Sequence, residues 1–221
     1  MSLPDALRDA LPGDAAYTWE QIAPVLPPAL YLGGGTALAV HLAHRVSRDL
    51  DFFYHRAAVD LEALVAALER AGPFAVTGRA AGTLNGLFSQ TRLQVLHADE
   101  VEPQRRLEPP EPIGGIGVAG IGDLLAMKLK VIVDRGELRD YFDLMAIELE
   151  AGRMVEEGLA LFLERYGRPP EPYVIEPIVR ALGYLGDVDE DELLPTSKAE
   201  VETYWERRQP EIVRNAARLG L

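Results

Sequence analysis

The sequence predicts an α+β fold: a small mixed sheet with helices in the first half, then a mainly helical second half. Three observations carry this. Short apolar runs broken by glycine and polar turns cluster between Leu30 and Leu96. An apolar stripe at helical spacing lies among them, at residues 61, 64, 65 and 68. From Asp123 onward, helical signals replace strand signals throughout.

In chain order, Leu3 to Leu26 has helical patterning broken at Pro12-Gly13, and Leu30 to Leu32 reads as a buried strand. Gly33-Gly34-Gly35 permits a tight turn with positive φ and close backbone approach. Thr36 is placed to cap a helix over Ala37 to Arg45, whose free N–H groups and dipole attract an anion. Leu50 to Tyr54 reads as a strand and Asp60 to Arg70 as an amphipathic helix. Phe74 to Arg79, Thr83 to Phe88 and Leu93 to Leu96 read as short strands, the last two joined as a hairpin through Ser89 to Arg92. Glu102 to Pro112, with four prolines, reads as a linker, and glycine-rich Gly114 to Gly122 as a connector lacking the lysine of a P-loop. Ser197-Lys198-Ala199-Glu200 is a capping-box signature opening a last long helix. The expected division is 1–112, a sheet-containing core with an N-terminal helical segment, and 113–221, a helical domain closing over its site.

A chain of 221 residues with 48% hydrophobic content buries a core and forms one domain or two small ones. Cysteine is absent, which excludes disulfides and thiolate metal sites. No signal peptide and no apolar run of membrane-spanning length is apparent, so the expectation is a cytoplasmic protein without membrane association. The formal charge of −13 opposes a broad nucleic-acid surface, so any polynucleotide contact is expected to be short and local.

The chemistry is concentrated after the glycine turn. Asp49 and Asp51 alternate with Leu50 and Phe52, so on a strand both carboxylates point one way and the apolar residues the other. Paired carboxylates beside a phosphate-seating turn suit Mg²⁺ held jointly by protein and triphosphate; the bland alternative is two solvent-facing strand residues. Ser47 shares their face if the strand starts early. Gln94, at the candidate position for a third acid, is neutral and reads as an ordinary strand residue. Lys128 emerges from the middle of the apolar arc formed by Leu124, Leu125, Met127, Val131 and Ile132. A buried ammonium requires a partner, the natural ones being a triphosphate or the carboxylates of the first half; snorkelling to water is the alternative. Gly136 is expected to break or kink the helix. Arg139 and Asp143, four apart, form either a surface ion pair or part of a site. His41 and His44 lack a third convergent ligand and read as helix packing or surface residues.

The string Gly33-Gly34-Gly35-Thr36-Ala37-Leu38-Ala39, followed by His44-Arg45-Val46-Ser47-Arg48-Asp49-Leu50-Asp51-Phe52-Phe53, resembles the AbiEii/AbiGii toxin family. That family lies within the DNA polymerase β-like nucleotidyltransferase superfamily, whose signature is Gly-Gly or Gly-Ser followed by Asp-h-Asp-h, where h is hydrophobic. Thirteen residues separate Gly35 from Asp49 here. The segment Asp123-x4-Lys128…Arg139-Asp140-x2-Asp143 looks like the family's second block. The resemblance implies a polymerase β-like core and transfer of a nucleoside monophosphate from an NTP to an acceptor, with tRNA 3′ ends leading. It also implies Mg²⁺ on Asp49 and Asp51, and Lys128 and Asp143 completing the catalytic set. Nucleotide binding would fall to Gly34, Gly35, Thr36, Arg45, Ser47 and Arg139, and a cognate antitoxin would be a partner. Two other readings stand beside this one: a non-catalytic nucleotide- or partner-binding module, which Gln94 favours, and a nucleotidyltransferase acting on a protein or small-molecule hydroxyl.

Overall fold

The computed structural model describes residues 4–55, 59–99 and 104–219. The chain forms two compact units, Met1–Gly120 and Ile121–Leu221. The start of the expected linker, residues 102 and 103, lies outside the described residues, as does Leu3 at the start of the N-terminal patterning.

In the first unit, helices α1 (Asp5–Ala10) and α2 (Gly13–Ile22) are separated at Leu11-Pro12, as the Pro-Gly break predicts. Then come β1 (Tyr31–Gly33), α3 (Gly34–Leu42), β2 (Leu50–Tyr54), α4 (Leu61–Ala71), β3 (Phe74–Ala80), β4 (Thr83–Phe88), β5 (Thr91–His97), β6 (Glu111–Ile113) and β7 (Ile116–Val118). They build one mixed sheet in the order β3-β4-β5-β2-β1-β7-β6. The β2–β5 and β1–β7 pairs are parallel, and the other pairs are antiparallel. Burial alternates along β2: Leu50, Phe52 and Tyr54 are in the core, whereas Asp51 and Phe53 are half-buried on the other face. Leu93 and Val95 of β5 and Leu84 and Phe88 of β4 extend that core layer. Asp60 caps α4 by accepting from the N–H groups of Glu62 and Ala63, an interaction worth about 1 kcal/mol.

The stretch read as linker and connector contributes two strands instead. Ile113 pairs with Ile116 across Gly114-Gly115. Both glycines have positive φ, +53° and +83°, as a two-residue type I′ hairpin requires. Pro112 is tolerated because β6 is an edge strand. The Trp19 indole N–H donates to the Gly114 carbonyl and fixes the hairpin to α2.

The second unit is helical: α5 (Ile121–Asp134), α6 (Leu138–Glu150), α7 (Val155–Arg165), α8 (Pro172–Leu182) and α9 (Lys198–Leu219). Gly136, at φ +48°, breaks α5 from α6. The capping box opening α9 forms as expected. Glu200 accepts from the Ser197 N–H at 2.9 Å, and the Glu200 N–H reaches the Ser197 hydroxyl at 3.4 Å. Arg208 on α9 ties three helices together. It makes two 2.9 Å bonds to Glu148 on α6 and one of 2.6 Å to Glu156 on α7. Among the described residues, no helix is long and apolar enough to cross a membrane.

Candidate active site

Gly34 sits at the end of β1 with φ +65°, a conformation that glycine adopts without penalty. Gly33 pairs with Asp51 across the β1–β2 ladder. A Cβ on Gly34 would stand 2.7 Å from Asp51 Oδ2, so the carboxylate lies directly over the turn. Gly35 has a second reason to lack a side chain: the Arg45 guanidinium occupies the space its Cβ would take. The turn therefore carries a carboxylate above one glycine and a cation against the next.

Helix α3 begins at Gly34 and ends at Leu42, because Ala43 takes a left-handed conformation. It starts and stops three residues earlier than its apolar pattern predicts. Thr36 is thus inside the helix and makes no capping bond. Its side chain is buried, and its hydroxyl donates to the Asp49 carbonyl and is hydrogen-bonded to the Ser47 hydroxyl at 2.7 Å. The Ser47 N–H donates to the Ala10 carbonyl at 3.1 Å. These bonds fasten the segment before β2, so Asp49 is held at a fixed place relative to the glycine turn. Ser47 lies before the strand and serves this clamp.

Asp49 immediately precedes β2 and is half-buried. Among the described residues, no hydrogen bond or ion pair engages its carboxylate. Asp51 lies opposite Gln94 in β5, and Gln94 lies opposite Asn85 in β4. Gln94 therefore does occupy the strand position beside the acid pair. Its side-chain N–H donates to Asn85 Oδ1 at 2.8 Å. No three His, Asp or Glu side chains converge as a metal cage among the described residues. The two carboxylates fit a hard divalent cation that draws its remaining oxygen ligands from a nucleotide and water. His41 accepts no such role; its Nε2 is 2.9 Å from the Ala119 carbonyl.

In the second unit, Lys128 is buried, as its place on α5 predicts. The structure supplies partners from the same unit: Nζ is 2.7 Å from Asp140 Oδ1 and 2.5 Å from Asp143 Oδ2. Burial pulls the ammonium pKa down, but the charges of Asp143 and Asp140 outweigh it and leave the pKa above its ordinary value. Asp143 is fully buried, so it does not form the surface pair with Arg139; Arg139 instead pairs with Glu137. Sequence reasoning passed over Asp140, which is as buried as Asp143. The signal was present: two acids three apart share a helix face, so a cation meeting one meets both. Asp123 is likewise buried in an ion pair with Arg165 of α7.

A glycine turn under a strand carboxylate, a second aspartate two residues earlier whose backbone is clamped by Thr36, and a mixed sheet followed in the chain by helices are the features of a nucleotidyltransferase-type enzyme. The family description "Nucleotidyl transferase AbiEii toxin, Type IV TA system" matches residues 20–217, and the chain belongs to that family. An uncharacterized protein of Aquifex aeolicus (strain VF5) is 27% identical over 190 residues, covering 84% of this chain and 88% of that protein. MenT4, a nucleotidyltransferase toxin from Mycobacterium tuberculosis H37Rv, has a similar fold at TM-score 0.58 and 19% identity. That similarity covers 97% of this chain and 90% of MenT4. JHP933 from Helicobacter pylori superposes at TM-score 0.54 and 18% identity, covering 99% and 96% of the two chains.

Proposed function

We propose that this enzyme transfers a nucleoside monophosphate from an NTP to the 3′ end of tRNA, acting as the toxin of a toxin–antitoxin pair. The observation that carries nucleotidyl transfer is the Asp51 carboxylate lying over Gly34, at a turn that opens a helix. The first N–H groups of α3 have no intrahelical acceptor and favour phosphate oxygens. Gly34 and Gly35 let the phosphates approach that backbone, with Arg45 as a nearby cation. Thr36 and Ser47 keep the approach to Asp49 rigid. The tRNA acceptor rests on the family resemblance.

In the transfer, an acceptor hydroxyl oxygen attacks the α-phosphorus. The new O–P bond forms as the bond to the β-phosphate bridging oxygen breaks, and pyrophosphate leaves with that electron pair. The hydroxyl proton passes to a carboxylate of the Asp49–Asp51 pair and then to water. Asp49 and Asp51 would also hold Mg²⁺, which when bound supplies charge neutralisation at the phosphates. The family pattern would give Lys128 a phosphate-contacting role and Asp143 that of a further acid; here the two are paired with each other at 2.5 Å. Positioning and charge neutralisation supply most of the rate enhancement in such chemistry.

The proposal is tested by measuring Mg²⁺-dependent pyrophosphate release with each NTP and tRNA. Asp51→Asn should abolish turnover while the protein still melts cooperatively as a folded chain. Equal turnover in this variant and the parent would remove Asp51 from the reaction.

A further inference from the structure

The sheet register assigns a side to each substrate. Strand β2 carries Asp51, with β1 and the glycine turn on one side and β5 then β4 on the other. Phosphates seated at the turn put the leaving pyrophosphate on the β1 side. An in-line displacement brings the attacking hydroxyl from the opposite direction, over β5 and β4. Residues directly opposite one another in a sheet share a face, so Asp51, Gln94 and Asn85 form one polar row. Arg92, two residues before Gln94, points to the same face. Since Leu50 pairs with Leu93, Arg92 lies at the level of Asp49. Burial supports this alternation: Thr91, Leu93 and Val95 are buried, whereas Arg92 is exposed and Gln94 half-buried.

The other positions facing this way on the three strands are Phe53, Thr83, Leu87 and Leu96, all neutral. Arg92 is therefore the cation of this face, in a chain of net charge −13. Among the described residues, no hydrogen bond or ion pair engages Arg92. By contrast, Arg79 on the opposite face is paired with Glu62. A guanidinium on the strand next to the acid pair, itself engaged by no hydrogen bond or ion pair, is suited to bidentate contact with a phosphate. The amides next to it are mutually bonded, so their remaining donors and acceptors are fixed in direction.

We infer that Arg92, Gln94 and Asn85 form the acceptor subsite, and that it takes a phosphodiester adjoining a free hydroxyl, the end of an RNA chain. This inference rests on the nucleotidyl-transfer reading and adds the residues of this chain that would receive the acceptor. Arg92 holds the terminal phosphodiester, and the amide pair hydrogen-bonds the terminal ribose. One guanidinium makes a short, local contact, which reconciles a polyanionic acceptor with an acidic protein. A protein hydroxyl or an uncharged small molecule would leave Arg92 without a phosphate to bind.

The experiment uses the full-length protein with Arg92→Gln and Arg92→Lys. Transfer from α-labelled NTP to bulk tRNA is measured alongside NTP affinity by calorimetry. Binding of a 5′-fluorescein-labelled tRNA is followed by anisotropy across a salt series. Arg92→Gln should raise the tRNA KM about tenfold or more, the loss expected for one charge-assisted contact. It should leave NTP affinity and kcat within twofold, and lower the salt slope of tRNA binding by about one. Arg92→Lys should recover part of the affinity. An unchanged tRNA KM, an equal loss of NTP affinity, or label on protein rather than RNA would overturn the inference. If the parent enzyme transfers no label, the nucleotidyl-transfer reading fails, yet anisotropy still decides the subsite. Weaker tRNA binding by Arg92→Gln then supports it, and equal or absent binding overturns it.

Discussion

Replacing Lys128 with methionine should destabilise the protein severely, because the ammonium neutralises two buried carboxylates at once. Its Nζ lies 2.7 Å from Asp140 and 2.5 Å from Asp143. All three side chains are nearly sealed from water, at 6%, 1% and 0% exposure. Removing one partner of a buried ion pair costs about 3–5 kcal/mol, since the remaining charge keeps its desolvation penalty. For a chain of this size, that corresponds to a melting temperature lower by roughly 6–20 °C. The assay is urea unfolding with thermal melting of the parent, Lys128→Met, and the triple variant Lys128→Met/Asp140→Asn/Asp143→Leu. The amide that the triple variant carries at position 140 keeps the side-chain oxygen that accepts from the Glu137 N–H. With none of these three charges left, the triple variant should recover at least half the loss while remaining inactive. The raised Lys128 pKa gives the pH signature. Its stabilisation is complete below the unfolded value of about 10.4 and is lost as pH rises through the higher folded value. On the alkaline side, the gap between parent and Lys128→Met should therefore persist until strong alkali. A Lys128→Met protein within about 1 kcal/mol of the parent would refute the reasoning, because it would mean the carboxylates are not desolvated.

Two further outcomes follow from the same physics. Gly34→Ala forces a Cβ to 2.7 Å from Asp51 Oδ2 at a φ of +65°, so it should cost about 1–2 kcal/mol in strain. It should reduce NTP affinity and turnover far more than stability, as read by calorimetry and melting. Arg208→Met leaves Glu148 and Glu156 without their shared cation and should cost about 3–5 kcal/mol in urea unfolding. Burial pushes the Glu156 carboxyl up, but hydrogen bonds from Arg208 and Asn215 outweigh it and hold the pKa below its ordinary value. That contribution is present above the unfolded value of about 4.3 and is lost as pH falls through the lower folded value. The difference between parent and Arg208→Met should therefore shrink below about pH 4.

The glycine turn and the Asp49–Asp51 alternation were legible in the sequence because both are local. A positive φ demands glycine, and strand periodicity alone sets which way two residues point. The β4–β5 hairpin and the capping box at Ser197 were legible for the same reason. Thr36 was misread as a cap because the helix start was set from its apolar pattern. Glycines carry no such pattern, yet α3 begins within them. Strands β6 and β7 were hidden by their prolines and glycines, although a Gly-Gly pair between isoleucines is itself a hairpin signal. The burial of Lys128 followed from its helical arc, but its partners depended on how α5 packs on α6. The row of Asp51, Gln94 and Asn85 likewise emerges only from register between strands distant in sequence.

The central claim is tested most directly by incubating the purified protein with each α-labelled NTP, Mg²⁺ and total tRNA, beside an Asp49→Ala control. The account predicts label on the tRNA 3′ end with one or more NTPs, matched by pyrophosphate release and absent from the control. Label that persists in Asp49→Ala, or no label despite measurable NTP binding by the parent, would contradict it.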